Sequence, residues 1–464
     1  MLDYSSSSKA GNLFQEWGFR DNPFSHNELP SNSDGDRLLI GRDEEVSLLL
    51  RRLSTPPSVV TLEATAGMGK SSLVNVALYR YMRLRAKQGI GPLLIPCKKK
   101  FELYPGTITE DWIRKFYVSL AETLVAERAF LEELGYKIAE MSRIDDFLNV
   151  IEKVGRTVAV SAAAYGRTPS PTSNLYSESG FYRDVEAALK TIFPEQKSGG
   201  VVCIIENLEL VEFFEDARRK LEQLRDEVLN MRGVRWVISG AIGLLYGLVA
   251  TPRLGRVLDP PLRLKPIPLK EAADVLRSRE EVFKEENDFY LPLTPDMMPE
   301  LFELMHGNIG AVLRSVEDYC KWIDSNGHHP KEPRRKYAYF KKWLMEKSLV
   351  HLDEIQRWID NPGTWKVFEE ISLSGGRGYM KLLTGKKGRG AVEDAYSYTD
   401  PNESHRRMRI VNELKNLDLV KQVYERGDSK GALLEVTPKG WLVMYAKRSV
   451  VPSKQPSNAP PDKS

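Results

Sequence analysis

Ser58–Ala77 reads SVVTLEATAGMGKSSLVNVA. A short apolar run (Val59, Val60, Leu62) enters a small turn with two glycines, and a helical pattern begins at Lys70. The order is strand, loop, helix. A polyphosphate needs a loop whose backbone N–H groups curl inward and whose surface lets phosphate oxygens come close. Gly67 and Gly69 permit that approach because they lack Cβ. Lys70 supplies a point charge for the β and γ phosphates, Ser71 a hydroxyl for Mg²⁺, and the new helix its positive end. The expected binding stretch is Ala64, Thr65, Ala66, Gly67, Met68, Gly69, Lys70, Ser71 and Ser72. The full pattern opens with Gly six residues before the Lys; Ala64 stands there, a mild change if its φ is negative. ATP with Mg²⁺ is the ligand this predicts.

Outward from that stretch, β-like runs alternate with helical periodicity. Leu93–Cys97 is a strand interrupted by Pro96, which belongs at a sheet edge. Val201–Ile205, Val234–Ser239 and Leu262–Leu264 complete five strands, the pattern of a three-layer α/β fold with a parallel sheet. Helices are expected over about 45–53, 109–126, 144–154, 183–192 and 214–231, with a flexible loop at 164–181. From Leu269 the pattern turns all-helical, over about 271–279, 295–305 and 309–324, before a basic connector at Lys331–Lys336. Five segments follow: an N-terminal arm at 1–35 lying along the next domain, a nucleotide-binding domain at 36–265, a helical lid at 266–330, a C-terminal module at 331–450 and a disordered tail at 451–464.

Hydrolysis needs an acid on a second strand to complete the metal shell, and a neighbouring carboxylate to activate water. Glu206, at the end of Val201–Ile205, is the metal-side candidate with Ser71. Asn207 occupies the water-activating place, and an amide can orient water but cannot take its proton. Slow turnover is expected unless Glu206 or Glu209 takes that role. Ser239 is a candidate γ-phosphate sensor. Arg253 and Arg256 are candidates for the arginine that a neighbouring subunit offers to the γ-phosphate.

The 464 residues suffice for two or three domains, and 42% hydrophobic with 28% charged residues is ordinary for a globular chain. No apolar run of about 18 residues occurs. The three cysteines are far apart and two sit in apolar runs, which fits core use in a reducing, cytoplasmic setting rather than a disulfide or metal framework. Charge is uneven: Lys331 to the end carries +9 of a chain total of +3, leaving −6 for residues 1–330. A basic C-terminal module suggests a polyanionic partner.

Ile40-Gly41-Arg42-Asp43 before a helix, AGMGKSSL, VVCIIENLE, Trp236–Ser239 and His306-Gly307-Asn308 together resemble AAA+ ATPases over about residues 36–325. The branch most similar is the replication-initiator (origin-recognition) group and the related STAND switch ATPases. The resemblance implies a P-loop NTPase sheet with a helical lid, and places Gly41 and Arg42 near the adenine. It also implies a lid-helix arginine at the γ-phosphate. Gly310 falls in that arginine's place here and Arg314 one turn later, a departure that, with Asn207, puts fast turnover in doubt.

In the C-terminal module, Asp400-Pro401-Asn402-Glu403 opens a helix to about Leu417, with Asp as cap and Pro at the first position. Met408, Val411, Leu414 and Leu417 are its expected core face, and His405, Arg409, Asn412 and Asn416 the polar one. Lys421–Glu425 and Ala432–Val436 read as a hairpin around a basic Gly turn, and Thr437-Pro438-Lys439-Gly440 opens a last helix. The order resembles a winged helix. In DNA-binding members the polar helix enters the major groove and the hairpin tip touches the backbone. His405, Arg406, Arg409, Asn412 and Lys430 are the candidate contacts with double-stranded DNA, with Arg407 and an expected loop at Arg377–Arg389 adding charge. The alternative is a STAND-like signalling switch whose winged helix docks on protein. Homo-oligomers or protein partners are compatible with either.

Overall fold

The computed structural model describes residues 12–55, 59–162, 178–208, 214–285, 288–359, 362–379, 401–423 and 433–450. The chain forms two compact units, Glu28–Lys265 and a second composed of Met1–Asn27 with Pro266–Ser464.

The first unit is built on β1 (Val59–Glu63), β2 (Leu93–Pro96), β3 (Phe101–Glu102), β4 (Gly199–Glu206), β5 (Val234–Gly240) and β6 (Leu262–Arg263). Their order is β2-β4-β5-β1-β6, every pairing is parallel, and β3 joins the far end of β4 beyond β2. The fold is that of a P-loop NTPase sheet. β1 and β5 are buried along their whole length, as expected where helices cover both faces. Alternate residues divide the core. Val59, Val201, Cys203, Ile205, Trp236 and Ile238 face one layer with the helices Thr109–Ala126 and Glu178–Ile192. Val60, Leu62, Val202, Ile204 and Val237 face the other, formed by Asp43–Ser54 and Lys70–Gln88. Period-two side chains thus place the loop after β1 between the two helical layers.

Pro96 does lie on the edge strand, and the next amide, Cys97, rejoins the ladder by donating to the Val202 carbonyl at 2.9 Å. At the start of β4, Gly199 has φ 121°, and a Cβ there would stand 1.9 Å from the Leu93 carbonyl oxygen. Only glycine lets β2 and β4 meet at that point.

Several boundaries differ from expectation. The helix expected at 183–192 begins at Glu178, so 178–181 is helical; residues 164–177 of the expected loop lie outside the described residues. The helix expected over 144–154 runs Met141–Ala162, and the one begun at Phe214 ends at Leu224 in a π-helical turn, Arg225–Leu229. The arm divides. Glu28–Leu38 runs along the first unit, where the Leu29 amide donates to Ser72 Oγ (2.9 Å) and Ser31 Oγ to the Asn75 carbonyl (3.2 Å). Residues 12–27 fold instead with the second unit. The Arg20 amide donates to Phe283 and the Tyr290 amide to Trp17, both at 2.9 Å, and Phe14, Trp17, Phe19 and Phe24 are buried. Phe14, Trp17, Phe19 and Phe24 drive this docking, since four large rings gain more from burial than a polar arm gains from lying along a surface.

In the second unit three helices, Ala272–Phe283, Met298–Leu304 and Ile309–Ser325, fill the all-helical stretch. The connector expected at 331–336 becomes helix from Pro333, at the head of Pro333–Gln356. Helix Pro362–Leu373, β7 (Arg377–Tyr379), helix Pro401–Asn416, β8 (Val420–Val423), β9 (Leu433–Val436) and helix Pro438–Val450 follow. The strands form an antiparallel sheet of order β7-β9-β8 around a core of Phe368, Ile371, Val411, Leu414, Leu434 and Val443. Residues 377–379 are strand, not loop. Met408 is 37% exposed and not in the core; Ile410 is buried in its stead, because the apolar stripe runs through 410, 411 and 414. Thr437 Oγ1 accepts the Gly440 amide at 3.0 Å, the cap that starts the last helix.

Candidate nucleotide site

The loop between β1 and the helix Lys70–Gln88 has the backbone its glycines suggested. Gly67 sits at φ 82° and Gly69 at φ 87°, the left-handed region costly for other residues. Gly69 is the residue from which the helix starts, so the first-turn amides and the positive helix end face the loop's interior. Lys70 is buried and its Nζ donates to the Ala64 carbonyl at 3.2 Å, closing the loop across the six-residue span of the motif. Ala66 and Gly67 are exposed, Thr65, Gly69 and Ser71 are half-buried, and Met68 is buried.

Two predicted residues bond to the protein itself. Arg42, 3% exposed, donates to Glu45 Oε1 at 3.0 Å, to the Lys265 carbonyl at 2.6 Å and to the Met68 carbonyl at 3.3 Å. It follows Gly41, which turns at φ 70°. The guanidinium therefore braces the phosphate loop from behind. Ser72 Oγ accepts the Leu29 amide, which directs that hydroxyl to segment 28–31.

β5 lies between β1 and β4, and the register pairs Leu62 with Ser239 and Ile205 with Ile238. Ser239 is buried, and the ends of β1, β5 and β4 fall at one level. Glu206 ends β4. Its Oε1 lies 3.2 Å from Lys100 Nζ, an ion pair without hydrogen-bond alignment, and Lys100 also pairs with Glu28. An acid with an oxygen free of directed bonds, at the end of a strand next but one to β1, has the donor chemistry a hard divalent cation takes. Among the described residues, no group of three His, Cys, Asp or Glu side chains forms a ready metal cage. A site of one carboxylate and one hydroxyl fits Mg²⁺ that arrives with phosphate and water.

Asn207 has φ 51° and donates Nδ2 to Glu102 Oε1 at 2.7 Å. Glu102 also accepts from the Tyr104 hydroxyl, and these two bonds, Tyr104's first, hold its carboxyl below the usual range. Sequence reasoning missed Glu102 and Lys100. The signal was there in Lys98-Lys99-Lys100-Phe101-Glu102, charges directly after the strand Leu93–Pro96. Glu209 lies outside the described residues.

Arg253 is exposed and 3.6 Å from Glu222; Arg256 is exposed too. Arg314 belongs to the second unit, exposed on the helix Ile309–Ser325 one turn after Gly310. In the C-terminal module Arg409 and Asn412 are exposed on the helix Pro401–Asn416. That helix includes His405, Arg406 and Arg407, whose side chains lie outside the described residues, as do Lys430, residues 380–400 and the tail 451–464. No helix among the described residues is long and apolar enough to cross a membrane.

No protein-family model matches the chain, and no curated protein does. Among solved structures, the chain is similar to the Aeropyrum pernix ORC2 protein in ADPNP–ADP complexes, at 13% identity and TM-score 0.44, over 92% of this chain and 97% of that one. It is similar to the Aeropyrum pernix ORC1 protein in complex with DNA at 15% identity and TM-score 0.41, over 93% and 98%. A Walker-type ATPase of Pyrococcus abyssi matches at 16% identity and TM-score 0.46, over 91% and 99%.

Proposed function

We propose that this chain is an ATP-binding AAA+ protein of the initiator-like kind, which hydrolyses ATP slowly and uses the nucleotide state to control its assembly or conformation on DNA. The observation that carries the reading is the loop itself: two left-handed glycines, Lys70 folded over them, and a helix starting at Gly69. Lys70 and the loop amides bind the phosphates. Ser71 and Glu206 hold Mg²⁺, which when bound neutralises phosphate charge and polarises the reacting phosphoryl group. Ser239 lies at the γ-phosphate end, and Arg253 and Arg256 are exposed for a neighbouring copy. The C-terminal module acts as a winged helix, with His405, Arg406, Arg409 and Asn412 on the groove-facing helix and Lys430, in the sequence between β8 and β9, as a further DNA contact.

Filter retention of ATP with millimolar Mg²⁺, comparing the parent with Lys70→Ala, tests the nucleotide half; equal retention by both refutes it. A gel shift on duplex DNA across salt concentration, with Arg406→Ala and Arg409→Ala, tests the other half. Affinity that is salt-independent and unchanged by these substitutions refutes DNA contact.

One observation favours a second reading, a switch whose winged helix docks on protein. Trp441 of the last helix stacks on His306 of the helical region, ring centroids 3.9 Å apart, and Gly376 at φ 77° leaves room for that indole. Nucleotide-dependent protection of Trp441 from exchange or quenching, with no DNA shift, is the outcome that selects it.

A further inference from the structure

β3 is only two residues long, yet it sets a carboxylate beside the metal-side acid. Glu102 ends it, and the register pairs Glu102 with Glu206. Asn207, the residue after Glu206, reaches Glu102 Oε1 at 2.7 Å, while Tyr104 donates to the other oxygen. The backbone beneath is held as well, because the Trp112 indole N–H donates to the Glu102 carbonyl at 3.1 Å. Asn207 makes its bond from φ 51°, a conformation Asn tolerates better than most residues and one that a plain strand end does not need. Such a constraint persists where the surroundings enforce it, and it concentrates at functional positions.

The strand-end place that should hold a base holds an amide, and that amide is bonded to a carboxylate one strand over. We propose that Glu102 is the general base of this site, with Asn207 as the group that positions it. The assignment rests on the nucleotide reading above. Water attacks the γ-phosphorus as its O–P bond forms, and its proton passes to Glu102. The bond from the γ-phosphorus to the bridging oxygen breaks, ADP leaves with that electron pair, and the proton on Glu102 is returned to the product phosphate. Glu206 then has no part in proton transfer and is left to the metal shell with Ser71. A base held by its neighbour's amide rather than free on the strand end agrees with the slow turnover proposed above.

The full-length chain carries the test, with phosphate release, retained nucleotide and its identity read in parallel. Glu102→Gln keeps an acceptor for Asn207 and should slow phosphate release by about 10²–10⁴-fold, the range for loss of a general base. It should retain as much nucleotide as the parent, and the bound nucleotide should be ATP where the parent holds ADP. Exchange of the pair, Glu102→Asn with Asn207→Glu, should recover at least about a tenth of the parental rate, since it returns a carboxylate to the strand end. Asn207→Ala, a change that leaves Glu102 in place, should slow release by about tenfold or more through lost positioning. Glu102→Gln turning over within about threefold of the parent overturns the proposal. So does a parent that retains ATP and never cleaves it. A parent that retains no more ATP than Lys70→Ala removes the nucleotide reading itself, and the assignment of Glu102 falls with it.

Discussion

Arg42→Ala separates bracing of the phosphate loop from contact with the ligand. The guanidinium is 3% exposed and donates to three acceptors, Glu45 Oε1, the Lys265 carbonyl and the Met68 carbonyl. Removing it strands the buried Met68 oxygen at a cost of about 1–3 kcal/mol. Lys265 is exposed, so its carbonyl regains water; Glu45 keeps partial solvation. With the lost packing of the arginine stem, the sum is about 3 kcal/mol. For the unit Glu28–Lys265, a domain of this size loses about 2–4 °C per kcal/mol, which predicts a fall of about 6–12 °C in its melting transition. Scanning calorimetry without nucleotide reads this directly. Arg42→Lys, which keeps charge but cannot span three acceptors, should fall about halfway. If Arg42→Ala melts within about 1 °C of the parent, the brace carries no energy and the reasoning fails.

Three further outcomes follow from other parts of the chain. Gly69→Ala places a Cβ at φ 87° and should cost about 1–2 kcal/mol with a marked loss of ATP affinity; unchanged melting and retention would contradict the loop conformation. Gly199→Ala would set its Cβ 1.9 Å from the Leu93 carbonyl oxygen, so the β2–β4 edge should separate and the protein should be recovered largely unfolded by circular dichroism. Burial raises the carboxyl of Glu435, but Lys421 at 3.4 Å and Arg377 at 2.8 Å outweigh it and hold the group below its ordinary range. A folded-state pKa below the unfolded one adds stability above the unfolded value near 4.5 and loses it as pH falls through the folded value. Glu435→Gln should therefore lower the melting point at pH 7 and converge with the parent in acid; a difference that does not shrink as pH falls would contradict this.

The parallel sheet was legible because its strands are covered on both faces, so Val201–Ile205 stands out as an unbroken apolar run and Val234–Ile238 as one interrupted by Arg235 alone. The loop was legible because its chemistry requires particular residues at fixed spacing. Side-chain direction was not. Arg42 and Ser72 belong to the right motifs, yet packing turns Arg42 under the loop and Ser72 toward Leu29. β3 and β7 are two and three residues long, too short for a period-two pattern to register, and both are set by pairing with β4 and β9. Glu102 was hidden for that reason: only the pairing of β3 with β4 brings it to Asn207, across more than a hundred residues of chain. Met408 was assigned to the core by spacing alone; an apolar stripe can be drawn through 408 or 410, and tertiary packing chose the latter.

ATP-induced stabilisation of the parent against Lys70→Ala is the measurement closest to the central claim, that the Gly67–Ser71 loop is a polyphosphate site. Ligand at about 100 times its Kd adds about 2.7 kcal/mol to the state that binds it. With Mg²⁺ and ATP in that excess, the parent's melting transition should rise by about 5–10 °C. Lys70→Ala should not move. A parent whose transition is unchanged by saturating ATP, or a Lys70→Ala variant that rises equally, would contradict the account.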